Sequence, residues 1–271
     1  PFEELLDLGL TEKTTLRYAL RGFGTLRWWP DRARINRELT AVLAPVIAQR
    51  RRDPGLADRT DILSLMLITR DEDGNGLSDS EIRDDLITLM LAGHETTATT
   101  LAWLFDALLH RPDVLATIQA EAETGETTHT HAVINETLRL HPPVPFTSRV
   151  TTGRYELGDY VLDPGTRIVL YIDAVNKNPA TYDHPHEFQA DRFLHRRPDA
   201  YAWIPFGGGV KRCLGASFSM TELTTVIHTM LTNGRYTAAD SDEERPVRRS
   251  VVVVPRHGTC IRYRPRHETI R

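Results

Sequence analysis

Cysteine and lysine are both scarce in this chain, and long apolar runs are missing. Cys213 and Cys260 are the only two cysteines in 271 residues. That is too few for a disulfide framework, and their separation matches no zinc pattern, so a reduced compartment with a thiol free for chemistry is expected. Lysine occurs only at Lys13, Lys177 and Lys211 among 33 basic residues. This arginine-heavy balance fits a high-GC bacterial source and a cytoplasmic protein. The greasiest region, Leu86 to Leu109, is interrupted by His94, Glu95 and the threonines at 96, 97, 99 and 100. It falls short of the roughly 18 uninterrupted apolar residues a membrane span needs, so no membrane segment is expected. The chain opens on Pro1 without a methionine or a signal peptide, which points to a longer product whose upstream part, any anchor included, is not in this sequence.

What remains is ordinary globular composition. Hydrophobic residues make up 40% and charged residues 26%, with 33 Lys+Arg against 37 Asp+Glu and a net charge of −4. Disorder and fibrous folds are excluded, and nucleic acid is not an expected partner. The length allows one or two domains with a large core.

Helical periodicity dominates the first half. Phe2–Leu8 is amphipathic, and Asp31 can cap a helix carrying Ile35, Leu39, Val42, Leu43 and Ile47. Arg50–Arg52 follow at its C-terminal end, where cations suit the dipole and a solvated end is expected. Asp71–Gly76 superficially suggests a calcium loop, but Ile82 stands where the bidentate acid belongs, so an ordinary turn is expected. Ser78 or Asp79 then opens a long helix of about 78–110, ended by Pro112, with a second helix from Asp113 and a third over about 130–140 before Pro142–Pro143. From Phe146 to Ile172 the period becomes two, which predicts a small antiparallel sheet. An irregular stretch from Asn176 to Pro205 follows, and loops that long are functional or pinned by specific contacts. A helix resumes over about Leu214–Leu231. Val251–Val254 with Gly258–Tyr263 suggests a terminal hairpin.

Three clusters carry chemistry. Phe206-Gly-Gly-Gly-Val-Lys-Arg-Cys213-Leu-Gly215 is a glycine-rich loop delivering a cysteine to a helix start. Helix amides, Lys211 and Arg212 favour thiolate there, and a thiolate is what a soft metal ligand requires. The glycines admit close approach of something flat and bulky, and the spacing fits no phosphate loop. Ala92-Gly93-His94-Glu95-Thr96-Thr97 places an acid and poor helix formers within an apolar helix, and Ala98 excludes a zinc-protease motif. Threonine hydroxyls bonding back along the helix are the structural explanation of that run. Glu136 and Arg139 stand at i, i+3 on one helical face, which alone describes any surface ion pair.

Together, in this order, the clusters resemble the cytochrome P-450 superfamily of haem-thiolate monooxygenases. Phe206, Gly209, Cys213 and Gly215 match its haem-binding signature, the AGHETT run its oxygen-activation motif, and Glu136 with Arg139 its ExxR helix. Phe188–Phe193 looks like its meander, with Ala190 in place of the usual proline. The resemblance covers essentially all 271 residues, read as a single haem-binding domain lacking its N-terminal part. It implies a mainly α fold with small antiparallel β-sheets and haem b (iron protoporphyrin IX) as cofactor.

By the same resemblance Cys213 is the axial iron ligand, and the loop residues Phe206, Gly207, Gly209 and Gly215 contact haem. Arg149 and Lys211 are candidate propionate partners, Lys211 standing where Arg or His is usual. Ala92 and Gly93 leave room for oxygen, while Glu95 and Thr96 relay protons. Glu136, Arg139 and Arg192 form a buried network that holds the cysteine loop. Val144, Pro145, Phe146 and Thr97 line a pocket for a lipophilic substrate. Arg192, Arg196, Arg197, Lys211 and Arg212 make a basic face for a ferredoxin, with its reductase, or another electron donor. The alternatives are an isomerase or peroxygenase needing no donor, and an inactive truncated fragment. Paired His129/His131 and His184/His186 are expected to be solvated loop residues.

Overall fold

The computed structural model describes residues 30–249 and 251–266; the expected helix at Phe2–Leu8 and the side chain of Asp31 lie outside them. Among the described residues the fold is mainly α, with short antiparallel strand pairs. The chain divides into two compact units, Pro1–Glu95 and Thr96–Arg271.

In the first unit, α1 (Pro30–Arg51), α2 (Ile62–Ile68) and the start of α3 (Asp79–Leu109) contribute Ile47, Leu67 and Ile82 to one apolar cluster. Asp61 caps α2 by accepting the Ser64 N–H at 3.1 Å. The arginines ending α1 are not simply solvated: Arg50 bonds Asp61 and Ser64, and Arg51 bonds Asp79. The helix end is thereby tied to the next two elements, and the Arg50 guanidinium holds the Asp61 carboxyl well below its usual range. The Asp71 carboxylate is occupied by its own turn, accepting the Asp73 and Asn75 N–H groups at 3.0 and 2.7 Å. Gly74 supplies the positive φ that this turn needs.

At its start α3 carries a reciprocal capping box. The Ser78 N–H donates to Glu81 Oε2 at 2.8 Å, and the Glu81 N–H donates to Ser78 Oγ at 3.3 Å. Its 31 residues span about 46 Å at the standard rise.

The second unit packs four helices around one core. Leu104, Phe105 and Leu108 of α3 meet Ile118 of α4 (Pro112–Thr124), Val133, Ile134 and Leu138 of α5 (Thr128–Leu140), and Leu223, Ile227 and Leu231 of α7 (Ala216–Asn233). Burying each large aliphatic side chain contributes about 1.5–3 kcal/mol, so this cluster dominates the unit's stability. Gly125 closes α4 in the left-handed conformation, leaving only residues 125–127 before α5 begins. His129 and His131 therefore lie on a helix rather than in a loop. His129 bonds Glu121 at 2.8 Å, and Glu121 also accepts the N–H groups of His129 and Thr130 at the helix start.

The expected small sheet is two nested ladders. β1 (Thr147–Val150) pairs with β4 (Arg167–Leu170), enclosing the hairpin β2 (Tyr155–Leu157) with β3 (Tyr160–Leu162). The short helix α6 (Ile172–Asn176) follows. The expected terminal hairpin does not form as read. β7 (Val252–Pro255) pairs with β6 (Pro246–Arg249), and β8 (Ile261–Pro265) pairs with β5 (Gly234–Ala238), which leaves α7 directly. β7 thus takes the strand just before it, while β8 reaches back past both to β5.

Candidate functional site

The i, i+3 pair on α5 is fully buried. Glu136 and Arg139 each have 0% side-chain exposure, and Glu136 Oε2 and Oε1 accept Arg139 Nε and Nη2 at 2.7 and 2.9 Å. The remaining Arg139 donors reach the carbonyls of Asn176 (3.2 Å), Pro185 (2.6 Å) and Glu187 (3.0 Å). All five guanidinium N–H groups are thus used, the condition under which a buried arginine is tolerated. Glu136 Oε1 also accepts the Gln189 N–H at 2.9 Å and Arg192 Nε at 3.1 Å. Arg192 continues to the carbonyls of Asp183 and His184. Both arginines lie over the Tyr182 ring, at 5.1 and 5.7 Å. The predicted Glu136, Arg139 and Arg192 thus come together, and what they grip directly is the irregular stretch 183–189.

That grip passes to the cysteine loop through Tyr182, Trp203 and Asn176, which the sequence reading did not single out, together with Phe193 of the meander match and Phe206 of the cysteine signature. Tyr182, Phe193, Trp203 and Phe206 stack edge to face in succession, at centroid distances of 6.5, 6.3 and 5.9 Å. Burial pushes the Tyr182 phenol up, keeping it protonated, and it donates to the Ala202 carbonyl at 3.0 Å. Trp203 Nε1 donates to the Asn135 carbonyl at 3.0 Å. Asn176, wholly buried, accepts the Ile204 N–H at 3.0 Å. For Tyr182, Trp203 and Asn176 the visible signal was only that 176–205 is long and irregular.

The loop itself is a tight reversal. The Cys213 N–H returns to the Phe206 carbonyl at 2.9 Å, and the Gly207 N–H to Ile204 at 2.9 Å. Gly207 and Gly209 adopt φ of 68° and 65°, which only glycine takes without strain. Nothing lies within 4 Å of a Cβ built at Gly207, Gly208 or Gly209. Cys213 is exposed, and so are Val210 (100%), Leu214 (95%) and Phe218 (66%). Gly215 precedes α7 as its cap. An exposed sulfur amid bare apolar side chains and open glycine backbone can receive a flat apolar group.

The other predicted residues are distributed as follows. Ala92, Gly93 and Glu95 lie on the part of α3 in the first unit, Ala92 and Gly93 exposed and Glu95 half-buried. Thr96 is half-buried and Thr97 buried in the second unit, where the Thr100 hydroxyl donates to the Thr96 carbonyl at 2.9 Å. Val144, Pro145 and Phe146 are partly exposed just before β1, braced by Val253 N–H to the Pro143 carbonyl (2.8 Å) and Asp173 N–H to the Pro145 carbonyl (3.1 Å). Arg149 is exposed on β1 and bonds Thr147 and Ser148. Arg196, Arg197, Lys211 and Arg212 are exposed, whereas Arg192 is drawn into the buried network and leaves the basic face. Among the described residues no group of three or more His, Cys, Asp or Glu converges on a metal site, and no helix is long and apolar enough to cross a membrane.

Comparison with known proteins agrees with this geometry. The Cytochrome P450 family model matches residues 22–261. A Mycobacterium tuberculosis protein, "Putative cytochrome P450 137", is 59% identical over 265 residues, covering 98% of this chain and 56% of that protein. "Putative cytochrome P450 138" of Mycobacterium bovis is 37% identical, covering 88% of this chain and 54% of its own length. The chain thus spans just over half the length of these relatives. The crystal structure of the cytochrome P450DA heme domain superposes with a TM-score of 0.80 at 28% identity, over 98% of this chain and 61% of that one. On the strength of its sequence, its fold and its cysteine loop, the chain belongs to the cytochrome P450 family.

Proposed function

We propose that this chain is the haem-binding part of a monooxygenase that inserts one atom of dioxygen into a lipophilic substrate. The single observation that carries this reading is the exposed Cys213 on an open glycine loop with Val210, Leu214 and Phe218 bare around it. That surface suits a haem: the sulfur is a soft ligand, the glycines leave room for a flat ring, and the apolar side chains need cover. Residues 1–271 are taken as one haem-binding domain and haem b as the group.

Cys213 would hold the iron, with Phe206, Gly207, Gly209 and Gly215 against the ring and Lys211 and Arg149 near its carboxylates. Haem bound through a thiolate supplies the capacity to activate dioxygen for transfer of one oxygen atom. The chain's own residues do the rest. The Glu136–Arg139–Arg192 network keeps the loop carrying the sulfur in one conformation. The Glu95 carboxyl and the Thr96 hydroxyl hold and move protons as dioxygen is reduced, with Ala92 and Gly93 leaving space beside them. Val144, Pro145, Phe146 and Thr97 exclude water and orient an apolar substrate. Exposed Arg196, Arg197, Lys211 and Arg212 present positive charge to an acidic donor of the ferredoxin type.

The test is isotopic. Haem-loaded protein, a ferredoxin with its reductase, and a panel of fatty acid and steroid probes are incubated under ¹⁸O₂. One labelled oxygen atom in the product, with Thr96→Ala diverting electrons to peroxide, is the expected result. Product formed without label and without an electron donor overturns the monooxygenase reading in favour of an isomerase or peroxygenase.

A further inference from the structure

Asn176 ends α6 with no side-chain exposure, and three of its polar groups bridge two segments, α5 and the stretch that leads into the cysteine loop. Its backbone carbonyl accepts Arg139 Nη1 at 3.2 Å, its Nδ2 donates to the Leu138 carbonyl at 3.4 Å, and its Oδ1 accepts the Ile204 N–H at 3.0 Å. The amide orientation is fixed by its neighbours, because a carbonyl must face the NH₂ and an N–H must face the oxygen. Ile204 is buried, and its carbonyl accepts the Gly207 N–H at 2.9 Å, the first turn of the cysteine loop. Phe206, two residues on, accepts the Cys213 N–H.

Among the described residues, Glu136, Arg139 and Arg192 bond none between 204 and 215; besides one another, their direct partners lie at 176, 183–187 and 189. An unbroken hydrogen-bond chain does run from the Arg139 guanidinium through Asn176 to Ile204, Gly207 and the turn that presents Cys213. We infer that Asn176 is a positioning residue that transmits the rigidity of the Glu136–Arg139–Arg192 network to the cysteine loop and so sets the geometry of the sulfur. The aromatic ladder from Tyr182 to Phe206 supports the same loop by packing and through the Tyr182–Ala202 and Trp203–Asn135 hydrogen bonds, whereas among the described residues Asn176 is the one that hydrogen-bonds both Arg139 and Ile204.

This inference rests on the reading of Cys213 as the haem ligand, and its test separates the two. Amide hydrogen exchange on the unloaded chain compares wild type, Asn176→Ala and Asn176→Asp, since Asp keeps the acceptor for Ile204. In Asn176→Ala, exchange at Ile204 and Gly207 is expected to quicken by about tenfold or more while the Gln189 amide, held by Glu136, keeps its protection. Asn176→Asp restores protection at Ile204. On haem titration, Asn176→Ala binds more weakly and shows a larger share of the non-thiolate Soret band after reduction and carbon monoxide binding, and Asn176→Asp recovers the thiolate band. Unchanged exchange at Ile204 and Gly207 overturns the inference. So does equal loss of protection at Gln189, which makes Asn176 a general core residue. If wild type itself shows no thiolate band, the haem reading fails while the exchange result still decides whether Asn176 holds the loop.

Discussion

Glu136 receives Arg139 through two parallel hydrogen bonds, 2.7 and 2.9 Å, with neither side chain exposing any surface. A pair spaced i, i+3 on a solvated helix is worth a few tenths of a kcal/mol. Here the same spacing is the centre of a core network, because the carbonyls that complete it arrive from residues 176, 185 and 187.

Removing either partner therefore strands a buried charge. Glu136→Ala or Arg139→Ala is expected to destabilise the chain by about 3–5 kcal/mol in denaturant unfolding. Arg139→Lys loses the two-pronged contact and costs about 2 kcal/mol or more. Arg192→Ala, at a side chain 10% exposed, costs less than either.

The glycine loop separates conformational need from spatial need. Gly207 and Gly209 sit at positive φ, whereas Gly208, at φ −159°, is in extended backbone open to any residue. Gly207→Ala and Gly209→Ala should each cost about 1–2 kcal/mol in the unloaded chain, and Gly208→Ala close to nothing. Thermal unfolding of the three variants measures this ordering directly.

Much of this architecture was legible, and the misreadings share one cause. The span of α3 follows from Ser78 and Glu81 at one end and Pro112 at the other, all local signals. The cysteine loop follows from glycine spacing, and family resemblance then names its partners. Asn176 stayed hidden because an asparagine beside an irregular segment signals a turn, while its actual partners, Leu138 and Ile204, are 38 and 28 residues away. The pairing of β8 with β5 was missed for the same reason, as was the role of Arg50 and Arg51 in tying down α1. Periodicity reports a residue's own element; it does not report which distant element will pack on it.

His141 gives a pH signature. Its ring stacks on Trp103 at 4.0 Å and 7°, and burial, with Lys177, Arg139 and Arg111 nearby, pulls it from 6.5 to about 3. Between those values the unfolded chain takes a proton that the folded chain refuses. Stability is complete above pH 6.5 and falls as pH drops toward 3, by up to about 1.4 kcal/mol per pH unit. His141→Phe keeps the stack and should flatten that slope in denaturant titrations across this range; an unchanged slope contradicts the assignment.

Asp106 has the opposite sign. Burial pushes its carboxyl up, against the Glu244 N–H that donates to it at 3.2–3.3 Å. The folded state then disfavours the charged form, a cost present above the unfolded pKa and relieved as pH falls through the raised one. Asp106→Asn keeps an acceptor for Glu244 and is expected to be neutral or stabilising at pH 7, with the advantage shrinking toward acid. Loss of stability at pH 7 would show that the charge itself is needed.

The assignment of Cys213 as thiolate ligand of a bound haem is tested most directly by the absorption difference spectrum of the reduced, carbon monoxide-bound protein beside Cys213→Ser. A red-shifted Soret band of thiolate ligation in the wild type, absent from the variant, is the predicted result. A wild type that retains no haem, or a band of non-thiolate type identical in both proteins, would contradict it.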